Sequence, residues 1–410
     1  MKDFKLLLFF IILFIAIRSI HFPEVLNFSF DQAWVSTQAI ELWKNKEITL
    51  VGPGNSIIAN GKQVIQGSIN YYYQLLFLLL GHFDPILSSY ILMISMALTI
   101  IPLYYGVKLL HGKKAAIFIV LLYTLLPYFI DFTRFFFGPI YQITFLSIMI
   151  LFMGLYKKFK KKLHLFLLFF FAGILFQFHF QALIVAIILF AYYLWKSNKK
   201  LLTAVIAVAG LIIGASPIIV FELKNQFYNT KVFLEYLKFA KKPSDFFFIP
   251  HRYLSISLLL LIVTVPFYKK LITTKKLFII GIVLFIIDLF LYLPLPKTAF
   301  GMSKNWNYPT EKKAYQIIKK ERLKDFNIVN HIYDNKSVVI KYHLKLDKYP
   351  IDYDDYYHNK YLYVISNTDK IFKDPAYEIN TFQPNKELKK WKLNNYYNLY
   401  LFQRIKTKGI

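Results

Sequence analysis

Apolar runs of about 15 to 25 residues recur through the first three quarters of the chain, which is close to the roughly 20 residues a helix needs to cross a bilayer core. They lie near residues 4–20, 85–107, 115–130, 140–156, 164–178, 180–195, 201–221, 253–268 and 276–296. A soluble domain has no interior large enough for this surface, since 57% of the 410 residues are hydrophobic and 19% aromatic. The chain is therefore expected to be a membrane all-α protein of about nine spans. Pro294 and Pro296 break the last run, and the composition then turns to Tyr, Asn, Lys and Asp. Two domains follow: residues 1–296 in the membrane, with a large first outer loop at 22–84, and residues 297–410 as a small α+β domain.

Orientation is carried by the lysines. The segments 2–5, 108–114, 157–163, 196–200 and 269–276 hold 17 Lys and one acid, Asp3, whereas residues 22–84 hold three Lys. The positive-inside rule puts the N-terminus in the cytoplasm. Residues 22–84, 131–139, 222–252 and everything after 297 then lie outside, in a multi-pass protein of the cell membrane. Part of the formal charge of +27 is this anchoring charge against anionic membrane lipids. The rest lies in the tail, where 22 Lys and Arg face 12 acids. Basic residues at span ends do not make a nucleic-acid surface. The absence of Cys excludes disulfides and thiolate metal sites. The first span lacks a small-residue cleavage site and is expected to be an uncleaved anchor. No internal repeat suggests a transporter of inverted halves.

In the tail a helix is expected at Glu311 to Leu323. Strands are expected at Asn327 to Tyr333, Val338 to Leu346, Tyr361 to Ser366 and Tyr397 to Ile405, where β-branched and aromatic residues dominate. In the first outer loop, Ser29 and Gln32 have the spacing of a capping box, which opens a helix running to about Lys44. Asp31 sits in its first turn without being needed as the cap. A second surface helix fits Ser68 to Phe83, entered through Tyr71, Tyr72 and Tyr73 at headgroup depth. Between them, Val51 to Ser56 and Asn60-Gly61-Lys62 are turn-rich and predict an irregular loop.

One span, an outer loop opening on an acid in a Phe-x-x-Asp setting (Phe28 to Asp31), two surface helices and a many-span bundle together resemble the GT-C type glycosyltransferases that use polyprenyl-phosphate sugars. Protein O-mannosyltransferases and the lipid A aminoarabinose transferase belong there. Further fragments carry the likeness: Leu50 to Asn55 with Gln66-Gly67-Ser68, His82 to Pro85, Thr133-Arg134 after Pro127, Gln177-Phe178-His179, and Ser216-Pro217 with Phe221-Glu222-Leu223. The resemblance covers residues 1–296 and implies a GT-C-like multi-span bundle, a polyprenyl-phosphate sugar donor and a glycan, lipid or protein acceptor. Many members carry Asp-Glu at the loop acid, and this chain has Asp31-Gln32. The missing carboxylate weakens support for a metal held there, so no cofactor is expected, with a divalent metal as the alternative that the sequence does not support.

Sugar transfer from a glycosyl phospholipid needs a base for the acceptor and cations for the departing phosphate. Asp31 is the candidate base, against a plain role as a first-turn acid in the helix dipole. Arg134 is the phosphate candidate because its planar fork suits phosphate oxygens; the other readings are an ion pair with Asp131 or snorkelling from a span end. His179 and Gln177, at a turn between short spans, are substrate-contact candidates, with Tyr72 and Glu222 beside them. His179 is equally a structural histidine, and Glu222 equally a cap or a partner of Lys224. Arg18 is a weaker cation, and Asp288 is the clear intramembrane acid. No His-Glu-x-x-His, Walker or dinucleotide pattern is present. The competing functions are a polymerase or ligase of lipid-linked chains and a non-catalytic translocator or scaffold.

Overall fold

The computed structural model describes residues 2–239, 253–268, 270, 272–296, 298–299, 301–373 and 376–405. Residues 240–252, within the outer segment expected at 222–252, lie outside the described residues, as does Lys269 of the basic segment 269–276. The chain forms two compact units. One comprises Met1–Ile20 and Ala39–Pro294; the other comprises His21–Gln38 and Leu295–Ile410. The segment from His21 to Gln38 thus groups with the tail and not with the apolar helices that flank it in sequence.

The first unit is mostly helical. Each of the nine apolar runs is built of helix, and three are broken at a proline: Lys113–Leu125 precedes Pro127–Asp131, Lys200–Gly214 precedes Ser216–Lys224, and Leu254–Val263 precedes Val265–Tyr268. Pro127, Pro217 and Pro266 each fall in the first turn of the second piece, where the missing amide costs nothing but continuation from the preceding helix is blocked. The pair at Pro217 bends by 78°. By length and composition, Pro85–His111 and Gly138–Phe159 are able to cross a membrane, and the bent pair makes a third if it is one span. The difference from nine has a physical cause. A helix of 13 to 17 residues is only about 20 to 26 Å long, short of the roughly 30 Å hydrocarbon core. Lys2–Ser19 and Thr274–Tyr292 have the length but carry several charges.

Glycines set how closely these helices approach. A side chain at Gly214 would meet the Phe170 carbonyl and one at Gly210 the Phe166 carbonyl, so Lys200–Gly214 lies backbone to backbone on Lys162–Phe178. A pair of small residues four apart is the common device for helix contact in lipid. The outward faces stay apolar: Ile184, Ile188, Leu201, Val205, Phe278 and Phe290 are exposed, a surface that lipid covers without cost.

Residues 51–67 correct the expected irregular loop. Val51–Ala59 and Lys62–Gly67 pair as an antiparallel hairpin. Asn60 and Gly61, with φ of 49° and 71°, supply the two-residue turn whose twist matches the strands. The hairpin rests on Tyr228–Phe239 through Ala59, Val64 and Val232, and Asn229 bonds both the amide and the carbonyl of Ile65.

The second unit is an α+β fold. Its sheet has the order Phe326–Asn330, Tyr361–Ser366, Asn398–Arg404, Asn385–Lys392, with the first pair parallel and the others antiparallel. Ile328, Tyr363, Ile365, Leu399 and Leu401 face one core with Trp306, Ala314, Ile318, Ile340 and Leu344. Val329, Leu362, Val364, Tyr400 and Phe402 face another with Tyr356, Ile371 and Phe382. With both faces covered, the central strand is apolar almost without interruption.

Two expectations for this unit are corrected. Val338–Leu346 is a helix, not a strand. It lies in the connection between the two parallel strands, which must cross over the sheet, and the Asp334 carboxylate accepts the Val338 amide at its start. The edge strand Asn385–Lys392 was not expected; its exposed lysines hide the apolar alternation and protect the edge. The first tail helix begins at Tyr308, capped by Asn307, three residues before the expected Glu311.

Candidate active site

Arg134 lies just beyond the Pro127 break, two residues after the cap of Pro127–Asp131. It is 2% exposed, and its guanidinium stands 4.6 Å from the Tyr292 ring centroid. Among the described residues, its Nε and Nη2 have no hydrogen-bond partner. Asp131, the expected ion-pair partner, instead accepts the Tyr292 hydroxyl at 2.8 Å. A buried guanidinium with unused donors is costly unless a ligand or ion completes it.

Arg18 is the contrasting cation. It is fully buried, and it donates to Thr133 Oγ1 (2.6 Å), the Thr124 carbonyl (2.9 Å) and the Tyr123 carbonyl (3.1 Å), with its guanidinium carbon 3.4 Å above the Phe14 ring. These bonds tie the first helix to the segment 123–133. Its donors serve the fold, while those of Arg134 are left over.

Gln177 and His179 sit together at the end of Lys162–Phe178. Gln177 donates to the Gly214 carbonyl at 2.7 Å, and Asn70 donates to its backbone carbonyl at 3.2 Å. The Gly67 backbone lies against the Gln177 side chain, so Gln66-Gly67-Ser68 and Gln177-Phe178-His179 meet in space. The Gln177 Oε1 is buried without a hydrogen-bond partner among the described residues. His179 is half-buried, and its Nδ1 is 3.4 Å from the Gln181 amide. Gln142, held by Ser255 at 2.7 Å, donates to the Leu175 carbonyl. Sequence alone missed Asn70, Gln142 and Ser255, whose polar side chains on apolar helices were the available signal.

Glu222 has structural work. It accepts the amides of Asn229 (2.9 Å) and Thr230 (3.1 Å) and the Thr230 hydroxyl (2.8 Å), capping Tyr228–Phe239. Tyr72 exchanges two bonds with the Thr49 backbone and lines a cavity of about 690 Å³ with Leu42, Trp43, Lys46 and Tyr71. A cleft of about 1060 Å³ in the tail, lined by Lys319, Lys320, Arg322 and Lys348, contains none of the candidate residues.

Asp31 is in the first turn of Phe30–Asn45 and is exposed. Gln32 reaches back to the Ser29 amide at 3.2 Å, and the Ser29 hydroxyl donates to the same Oε1 at 2.6 Å. This is the return half of the expected capping box, with the hydroxyl turned to the side chain. Phe28 anchors the start of the helix against Tyr308 and Tyr342, and Trp34 packs on Tyr353. Asp31 thus sits in a turn whose start is held by Gln32 and by the ring contacts of Phe28. No group of three or more His, Asp or Glu able to hold a metal ion occurs among the described residues.

Comparison with known proteins bears on the membrane unit. No curated protein sequence matches the chain. Among solved structures, the oligosaccharyltransferase of Archaeoglobus fulgidus, crystallised with Zn and sulfate, is similar at 14% identity and a TM-score of 0.44, over 78% of this chain and 43% of that one. The present chain therefore spans less than half the length of that enzyme. The family model for dolichyl-phosphate-mannose-protein mannosyltransferases matches residues 69–221, the segment holding Tyr72, Arg134, Gln177 and His179 and ending one residue before Glu222. Over that segment, 153 of the 410 residues, the chain is similar to the dolichyl-phosphate-mannose-protein mannosyltransferases.

Proposed function

We propose that the protein moves a sugar from a polyprenyl-phosphate donor to an acceptor hydroxyl or amine at the outer face of the cell membrane. The observation that carries this is Arg134: a buried guanidinium with unused donors inside the family-matched segment, suited to the two oxygens of a lipid phosphate. The apolar runs cross about nine times in a GT-C-like bundle, with broken and short helices buried against one another, and the 17 inner lysines keep the N-terminus in the cytoplasm.

In the reaction, the acceptor oxygen or nitrogen attacks the anomeric carbon while Asp31 takes its proton. The bond from that carbon to the phosphate oxygen breaks, and its electron pair leaves with the phosphate. Arg134 stabilises the charge that develops there. Gln177, His179 and Tyr72 contact the substrates, whereas Glu222 holds the helix it caps. A family match of this kind favours single-sugar transfer over a translocator or scaffold.

The test is incubation of purified full-length protein with polyprenyl-phosphate sugars and candidate acceptors. Release of polyprenyl phosphate, followed by mass spectrometry, is expected for at least one sugar. Hydrolysis or transfer of whole lipid-linked chains, with no single-sugar transfer, would replace the proposal with the polymerase or ligase reading.

A further inference from the structure

Asp288 is the unexplained group of the membrane unit. It lies one turn before Tyr292 on Thr274–Tyr292, is 2% exposed, and neither carboxylate oxygen has a hydrogen-bond partner among the described residues. Arg18, Arg134 and Asp131 are the charged groups whose fields reach it, and Tyr292 lies on the same helix face. Arg18 is fully engaged elsewhere, and Asp131 is bonded to Tyr292. Arg134 and Asp288 therefore sit within each other's field, both buried, both with polar atoms unused, and yet not bonded to each other.

Two such groups are completed together by a ligand with hydrogen-bond acceptors beside hydrogen-bond donors. A guanidinium offers only donors and an ionised carboxylate only acceptors. A glycosyl phosphate has both, because phosphate oxygens and sugar hydroxyls are joined through one anomeric oxygen. A bare lipid phosphate satisfies Arg134 but offers Asp288 no sugar hydroxyl, and as a monoester it can carry one more negative charge than the glycosyl phosphodiester in a site of low dielectric, where repulsion is strong.

We propose that Asp288 accepts a hydroxyl of the donor sugar and repels the spent lipid phosphate, so that the site holds loaded donor and releases product. This rests on the transferase reading above and adds a specificity residue on the last apolar helix. Discrimination of this kind is strong because a site built for a hydroxyl leaves its own buried group unpaired when the hydroxyl is missing.

The experiment measures binding of polyprenyl phosphate and of its mannosyl, glucosyl, galactosyl and amino-sugar esters to purified full-length protein. Wild type is expected to prefer at least one ester over bare lipid. Asp288→Asn keeps the shape and removes the charge, so bare lipid should bind about tenfold or more tightly than to wild type and the preference should collapse. Asp288→Glu, which restores the charge, should keep the preference and guards against a folding defect in the first variant. Parallel weakening of both lipids in Asp288→Asn would mark a counter-ion that only positions Arg134, and would overturn the proposal while leaving the transferase reading intact. Failure of wild type to bind any ester would overturn both.

Discussion

In the proposed reaction Asp31 and Arg134 carry the chemistry, and each also has a purely structural role of different size. Asp31→Asn keeps the first turn, with a dipole loss of only about 0.3 to 1 kcal/mol, but abolishes the base and should lower turnover about 100-fold or more. Steady-state transfer by a folded Asn variant decides between them; activity near wild type would leave Asp31 a helix residue. Arg134→Lys keeps the charge but not the paired planar donors. Donor use should fall about 10- to 100-fold, read from saturation with lipid donor at unchanged helical content. If Arg134→Ala saturates as wild type does, the phosphate lies elsewhere. Sequence already marked both residues, because an acid inside a Ser-x-x-Gln box and an arginine after an apolar run are visible as spacing. The orphaned state of Arg134 was not legible, since it depends on Asp131 turning to Tyr292 from 161 positions away.

At the scale of elements, packing and burial decide stability. Gly214 accepts no side chain because the Phe170 carbonyl occupies the place of its Cβ. Gly214→Leu should cost about 1 to 3 kcal/mol or more and separate Lys162–Phe178 from Lys200–Gly214, seen as a lowered midpoint of thermal unfolding in detergent. A midpoint equal to wild type would show that these helices do not depend on close approach. In the tail, Glu311 is buried with Trp306 and Tyr333 donating to its Oε2 at 3.1 and 3.2 Å, and burial raises its pKa from 4.5 to about 8. The folded form then keeps a proton that the unfolded form has lost, so this residue's contribution to stability falls as pH rises from about 4.5 through 8. Asp334, raised by burial to about 6, acts in the same direction over a lower window. Lys341, lowered by burial to about 7, has the opposite sign above that pH, because its unfolded form takes up the proton. Glu311→Gln removes one of these couplings: hydrogen exchange of Tyr308–Glu321 in the full-length protein should slow at pH 8 relative to wild type and match it near pH 4. An unchanged pH profile would place an ionised Glu311 in the fold.

For the whole molecule, the membrane orientation is the assignment on which the chemistry depends. A reporter fused after Ile410 is expected outside the cell and one inserted at Lys160 inside, from the contrast of 17 Lys with three. Accessibility of the Lys160 reporter from outside intact cells would put Asp31 on the side of nucleotide sugars and end its assignment as base.

Apolar runs, lysine punctuation and the change of composition after Pro296 determined by themselves that the chain is a helical membrane protein with an α+β tail, because desolvation of long apolar helices and anchoring of positive charge act locally along a sequence. The central strand Tyr361–Ser366 and the helices Phe30–Asn45 and Ile69–Leu80 were legible for the same reason: their periodicity is their own. Tertiary structure alone decided that Val338–Leu346 is a helix, since the parallel pairing of Phe326–Asn330 with Tyr361–Ser366 demands a crossover that overrides β-branched propensity. It also turned Asn60-Gly61 into a hairpin by placing Asn229 and Val232 against the strands, and it left Arg134 and Asp288 buried with bonds to make. Whether a buried polar group is satisfied depends on partners distant in sequence, and only the folded chain brings them together.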